Sequence, residues 1–172
     1  ANYLNKNFAG MEQISVVVGH DCRNNSRLFA ETVADIFSAN GIKVYLFDDC
    51  RPTPEISYGI RKLGCQSGVV ITASHNPRQW NALKFLNEKG EFLPPEEAAE
   101  VVRLANNCNF DFADVDNLGH YTQNFYYDQR HIDHVKELEL VDVEAIRRAH
   151  FSVAFDAVNS VGGVIIPKLL GQ

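Results

Sequence analysis

The chain has no run of lysines and arginines longer than two, no C-x-x-C pair and no uncharged apolar stretch approaching the length of a membrane span. Each absence argues against a class of function. With 16 Lys and Arg set against 22 Asp and Glu the formal net charge is -6, which disfavours nucleic acid or an anionic membrane as partner. A small anionic ligand held at one local cationic site stays compatible with that charge. The four cysteines, Cys22, Cys50, Cys65 and Cys108, are too scattered for a disulfide framework or a zinc site and read as reduced packing residues of a cytoplasmic protein. The first six residues lack the basic-then-apolar order of a secretory leader. They also lack Met, and Tyr3, Leu4 and Phe8 read as the end of a helix whose beginning has been clipped. The G-x-S-x-G elbow of the α/β hydrolases is missing as well.

What the chain does have is a repeated alternation of buried-strand and helix signals. At 172 residues and 45% hydrophobic content it can build one full domain with a proper core. Ile14-Ser15-Val16-Val17-Val18-Gly19, Ile42-Lys43-Val44-Tyr45-Leu46-Phe47 and Gly68-Val69-Val70-Ile71 are β-branched and apolar, the composition of strands buried on both faces. Between the first two, Phe29, Val33, Ile36 and Phe37 recur at helical spacing behind Ser26 as cap, and Asn40-Gly41 supplies the stop. Between the next two, Thr53 and Pro54 start a helix whose inward stripe is Ile56, Ile60 and Leu63. Short loops and right-handed crossovers then predict an α/β fold, a three-layer α/β/α sandwich on a mostly parallel mixed sheet. That topology puts Asp21, Asp48, Asp49 and Ser74 along one sheet edge.

Further along, the segment 82–86 predicts a short strand that turns back antiparallel beside the third one and carries Lys84 toward Ser74. Pro94-Pro95 opens a helix with Ala98, Val101, Val102 and Ala105 inward, and residues 108–119 read as an aperiodic surface loop. Asp128 and Asp142 are placed as caps of two more helices. His131 and His134, one turn apart without further ligands, read as solvent-exposed. Residues 151–156 predict a fresh strand, followed by an apolar helix that runs to Gln172.

The edge carries the chemistry. Thr72-Ala73-Ser74-His75-Asn76-Pro77 places a serine hydroxyl where parallel sheets bind ligands, followed by a rigidifying proline. Together with Gly19-His20-Asp21-Cys22-Arg23-Asn24-Asn25-Ser26 upstream and Asn81-Ala82-Leu83-Lys84 downstream, it resembles the phosphoserine loop of the α-D-phosphohexomutase superfamily, the phosphoglucomutases, phosphomannomutases and phosphoglucosamine mutases. The resemblance implies that Ser74 carries a transferable phosphoryl group, that sugar 1-phosphate and 6-phosphate are interconverted, and that a sugar 1,6-bisphosphate primes the cycle. It implies Mg2+ held through the phosphate on Ser74 and through a carboxylate loop that these 172 residues do not contain. Under it, residues 1–150 form the first family domain and 151–172 the truncated opening of the second, with the missing remainder of domains II to IV as partners.

Residue types support those roles. An arginine fork such as Arg23 can donate two parallel hydrogen bonds to a phosphoryl group, and Lys84 can act as general acid or base beside a cation such as Arg23. His75 is placed as a catalytic residue that hydrogen-bonds the phosphate or orients the loop, and Arg23, His75, Asn76 and Lys84 are placed as substrate contacts. Because neighbouring side chains diverge on an extended backbone, Ser74 and His75 are not expected to form a nucleophile–base pair. The family pattern has Gly where this chain has Ala82, which puts the approach of that loop, and with it the placement of Lys84, in question. Residues up to Pro77 look most like the phosphoglucomutase branch, and residues 80–87 like bacterial phosphoglucosamine or phosphomannose mutases, so glucose, mannose and glucosamine phosphates all stand as substrates. A non-catalytic α/β module that binds a phosphorylated ligand or a partner protein at the same edge is the alternative from another class.

Overall fold

The computed structural model describes residues 1–124 and 127–171, and Gln172, the end of the expected last helix, lies outside the described residues. Two compact units are present, Ala1–Phe125 and Tyr126–Gln172. In the first, helix α1 (Asn2–Asn7) precedes the alternation β1 (Ser15–His20), α2 (Ser26–Ala39), β2 (Lys43–Phe47), α3 (Thr53–Leu63) and β3 (Ser67–Ile71). Strand β4 (Leu83–Leu86), helix α4 (Pro95–Asn106), a 3-10 turn at Val115–Asn117 and strand β5 (Tyr121–Asn124) complete it. The sheet runs β4-β3-β1-β2-β5, with only β4 antiparallel to its neighbour.

Opposite crossover directions explain the layers. The chain steps from β1 to β2 through α2, then back across β1 to β3 through α3, so right-handed connections place the two helices on opposite faces of the sheet. Alternation along the strands agrees with this. Val16 and Val18, Val44 and Leu46, and Val69 and Ile71 pack in one cluster with Ala30, Ala34 and Phe37 of α2. On the other face Gly19 and Gly68 leave room for α3: a Cβ on Gly19 would come within 2.7 Å of Ile56, and one on Gly68 within 2.5 Å of Ile60. Small residues on the strands thus let α3 lie close to the sheet.

Several expectations are corrected. The buried stripe of α2 is Ala30, Ala34 and Phe37, with Val33 half-buried, whereas Phe29 and Ile36, two turns apart, are exposed. Asn25, in a left-handed conformation, precedes α2, and the Ser26 hydroxyl points away to Asp21 instead of capping. Pro52 takes the cap position of α3, with Thr53 already helical. In α4, Val102 and Ala105 are exposed and none of its residues is fully buried, since it covers α1 from outside the sheet. The loop 108–119 is followed by a strand that composition did not announce, β5, which pairs with β2 from Val44↔Tyr121 to Phe47↔Asn124.

In the second unit, α5 (Tyr127–Lys136), α6 (Val143–Ala149) and α7 (Gly162–Leu170) follow in order. Asp142 caps α6 as expected, accepting from the Ala145 N–H at 2.8 Å. Asp128 instead lies buried inside the first turn of α5, where Lys168 donates to its carboxylate. The expected strand at 151–156 does not form: Phe151, Val153 and Phe155 are exposed, and no described strand pairs with them. His131 and His134 are half-buried, and burial, then the neighbouring His134, lowers the His131 pKa. Cys50 and Cys65 are packed in the interior, whereas Cys22 and Cys108 are exposed and are not packing residues. No described helix is long and apolar enough to cross a membrane.

Candidate active site

Strands β1, β2 and β3 end side by side, and their exit loops are laced together. The Asp21 N–H donates to the carbonyl of Ile71 at 3.0 Å and the Arg51 N–H to that of His20 at 2.8 Å. These bonds carry the order of the sheet into the loops.

Ser74 sits on the loop after β3 with its side chain exposed and its backbone at φ 55°, a left-handed conformation uncommon for a residue with a Cβ. Such a conformation persists only where the surroundings enforce it. Here the Ser74 N–H donates to the Thr72 hydroxyl at 3.1 Å, and Thr72 in turn donates to Asp21 Oδ2 at 2.7 Å. The Asn76 N–H and side-chain amide both donate to the Ala73 carbonyl at 3.0 Å, closing the turn.

Asp21 is the hub of this network. Its Oδ1 accepts from the Arg23 N–H at 2.9 Å and the Ser26 hydroxyl at 2.8 Å, and its Oδ2 faces Arg23 Nε at 3.2 Å besides taking the Thr72 bond. Ser26 accepts from the Asn81 amide at 2.8 Å, which ties the third motif to the first. The three separated sequence motifs are therefore one hydrogen-bonded unit.

Arg23 lies within this unit, its guanidinium donating to the carbonyls of Ser74 and Asn76 at 2.7 Å each, Pro77 at 2.9 Å and Trp80 at 3.3 Å. Lys84 sits half-buried on β4 opposite Val70, its ammonium 5.6 Å from the centre of the Phe92 ring. The expected divergence of Ser74 and His75 does not hold, because the left-handed serine is not extended; Ser74 Oγ and His75 Nδ1 lie 3.4 Å apart, a long and weak contact. Ala82 is not among the residues of positive φ, and its carbonyl accepts from the Thr72 N–H at 3.0 Å, so alanine fits this turn without backbone strain.

A family profile described as phosphoglucomutase/phosphomannomutase, alpha/beta/alpha domain I, matches residues 1–111. The chain belongs to the phosphoglucomutase/phosphomannomutase family. It is 30% identical to a phosphoglucomutase of Staphylococcus epidermidis (strain RP62A) over 185 residues, covering all of this chain and 32% of that protein. A phosphoglucomutase of Staphylococcus saprophyticus is 38% identical over 107 residues, 62% of this chain and 19% of the relative. Among solved structures, a protein described as a phosphomannomutase from Thermus thermophilus superposes with a TM-score of 0.69 at 28% identity, over 84% of this chain and 31% of that one. The chain thus spans a third or less of the length of these relatives.

The second acidic group at the edge is occupied as well. Arg51, almost wholly buried, pairs with Asp48 at 2.8 Å and lies 3.2 Å from Glu55, itself inaccessible to solvent. Burial, then the negative charge of Asp49, pushes the neighbouring Cys50 thiol up to about 11, so it stays protonated and inert near neutral pH. Mg2+, implied by the family resemblance, requires free oxygen ligands in near-octahedral array, and the carboxylate of Asp21 is already bonded within the loops while Asp48 serves Arg51. Among the described residues no group of three or more His, Cys, Asp or Glu side chains could hold a metal ion. These residues do not by themselves form a Mg2+ site.

Sequence reasoning placed Thr72, Ser26 and Asn81 within the three motifs but gave none of them a role in the site, reading Ser26 as a helix cap. Their signal was available only in retrospect: each is a short polar side chain at a strand end or helix start, where turn formation is the ordinary explanation. Arg51 and Glu55 were likewise passed over, although an Arg and a Glu at i, i+4 across a helix start can pair.

Proposed function

We propose that the chain is the first domain of an enzyme that interconverts sugar 1-phosphate and 6-phosphate, with Ser74 as the phosphoryl carrier. The observation that carries this reading is the exposed Ser74 hydroxyl on a backbone locked at the C-terminal edge of the parallel sheet. In the proposed cycle a sugar hydroxyl attacks the phosphorus on Ser74, the P–Oγ bond breaks as the new P–O bond forms, and Lys84 takes the hydroxyl proton. The sugar bisphosphate then turns over and its other phosphoryl group returns to Oγ, with the proton going back to the sugar oxygen it leaves. Such transfer asks the protein mainly for in-line positioning and charge stabilisation, which suits a site built of loop hydrogen bonds. His75 Nδ1 lies 3.4 Å from the Ser74 hydroxyl, Asn76 is proposed as a substrate contact, and a phosphate on Ser74 would offer Mg2+ a ligand, the bound ion then supplying charge neutralisation. Residues 151–172 are taken as the opening of the second domain, and a sugar 1,6-bisphosphate as the primer.

The substrate class is a phosphorylated hexose, glucose or mannose first, with glucosamine phosphate as the alternative. Pentose phosphates stand beside them as a second reading, because a phosphopentomutase of Mus musculus is 40% identical over 102 residues. A coupled assay tests the proposal. The chain alone, given glucose 1-phosphate, Mg2+ and glucose 1,6-bisphosphate, should give no measurable conversion, since the grip on the sugar and the remaining metal ligands lie elsewhere. The longer parent enzyme should turn over, and its Ser74→Ala variant should lose roughly three orders of magnitude or more, as loss of a covalent nucleophile does. Conversion by the chain alone would overturn the one-domain reading. Undiminished turnover by the Ser74→Ala parent would remove Ser74 as the phosphoryl carrier, and no turnover by the unaltered parent would leave the non-catalytic ligand-binding module in its place.

A further inference from the structure

We infer that Arg23 is a positioning residue that clamps the Ser74 loop shut, and that it is not a ligand of the transferred phosphate. A guanidinium has five N–H donors in a fixed planar fork. Here Nη1 donates to the Pro77 and Trp80 carbonyls and Nη2 to those of Ser74 and Asn76, while Nε lies 3.2 Å from Asp21 Oδ2 in an ion pair. Loop 74–80 thus wraps the cation with four carbonyl dipoles, and the Asp21 carboxylate offsets its charge from the other side. The side chain keeps only 14% of its exposure. A phosphate could reach the fork only by displacing carbonyls that fix the loop, so gripping the anion and ordering the serine are competing uses of one group.

The clamp also explains how Ser74 holds its left-handed backbone. Its N–H is fixed through Thr72 to Asp21 and its carbonyl through Arg23 to the same Asp21, so both ends of the strained residue return to one carboxylate. Arg23 would therefore act on phosphoryl transfer through the orientation of Ser74. This inference rests on the proposed role of Ser74 for its purpose, but its test does not.

The test reads loop order directly. Trp80 is the only tryptophan in the chain and lies in the clamped loop, and Arg78 is an exposed tryptic site in the same loop. In Arg23→Gln and Arg23→Lys, cleavage after Arg78 should rise about tenfold or more over wild type, since hydrogen bonds to a charged group are lost, and Trp80 fluorescence anisotropy should fall. Lysine keeps the charge but cannot span five acceptors, so Arg23→Lys should loosen the loop like Arg23→Gln. Equal cleavage and anisotropy in wild type and both variants would overturn the inference. If neither variant folds, the wild type decides: the Arg23 Nε–H cross-peak in a 15N spectrum should stay in place as inorganic phosphate is added, and a saturable shift would overturn the clamp. Loosened loops in the variants alongside a wild-type Ser74 that never accepts phosphate would sink the proposed function and leave the clamp standing.

Discussion

At Ser74 a chemical requirement and a conformational cost meet in one residue. Its φ of 55° costs a Cβ-bearing residue about 1–2 kcal/mol, which the bonds to Thr72 and Arg23 offset. A β-branched side chain should raise that cost and a glycine remove it, less the greater freedom glycine has when unfolded. Thermal unfolding should therefore show Ser74→Val melting below wild type by the equivalent of about 1–2 kcal/mol, with Ser74→Gly at or above wild type. Equal melting of all three would mean that the loop carries no strain at this position. The placing of Asp21, Arg23 and Ser74 at one sheet edge was legible in the sequence because each follows a β-branched apolar strand. The partners of Asp21 were not, since a hydroxyl or amide in a turn has several ordinary acceptors and only the fold says which one it meets.

Elements were legible where the pattern was strong. The β-branched strands β1, β2 and β3, the intervening helices and the reversal into β4 follow from periodicity and turn chemistry. Faces and edges were less legible. Large apolar residues drew attention on α2, but the sheet selects Ala30 and Ala34, whose small side chains allow close approach. Strand β5 escaped because Tyr121-Thr122-Gln123-Asn124 is mostly polar, and its place is dictated by a backbone approach that composition does not reveal. Gly119 makes that approach: a Cβ there would lie 2.1 Å from the Ile42 carbonyl oxygen, and its N–H donates to the Ser38 carbonyl at 2.8 Å. Gly119→Ala should consequently destabilise by about 2–3 kcal/mol, as overpacking against backbone does, and should release amide-exchange protection in β5 before β1. Unchanged protection in β5 would show that the close approach is not what holds the edge strand. The expected strand at 151–156 failed for the converse reason: apolar alternation is present, but a strand also needs a neighbour.

For the whole molecule, the decisive property is that three motifs separated by up to 55 residues converge on one carboxylate at one sheet edge. Family membership rests on the profile match over residues 1–111, and the activity proposed for the parent rests on what that edge presents. The rest of the reaction, from metal loop to sugar grip, is assigned to residues beyond the third or less of the relatives' length that this chain covers. The most direct test follows the phosphoryl group. The parent enzyme is incubated with glucose 1,6-bisphosphate labelled with 32P, digested, and its labelled peptide sequenced by mass spectrometry. One phosphoryl group on Ser74, and its disappearance on addition of unlabelled glucose 1-phosphate, is the predicted result. Label on another residue with Ser74 unmodified would contradict the account.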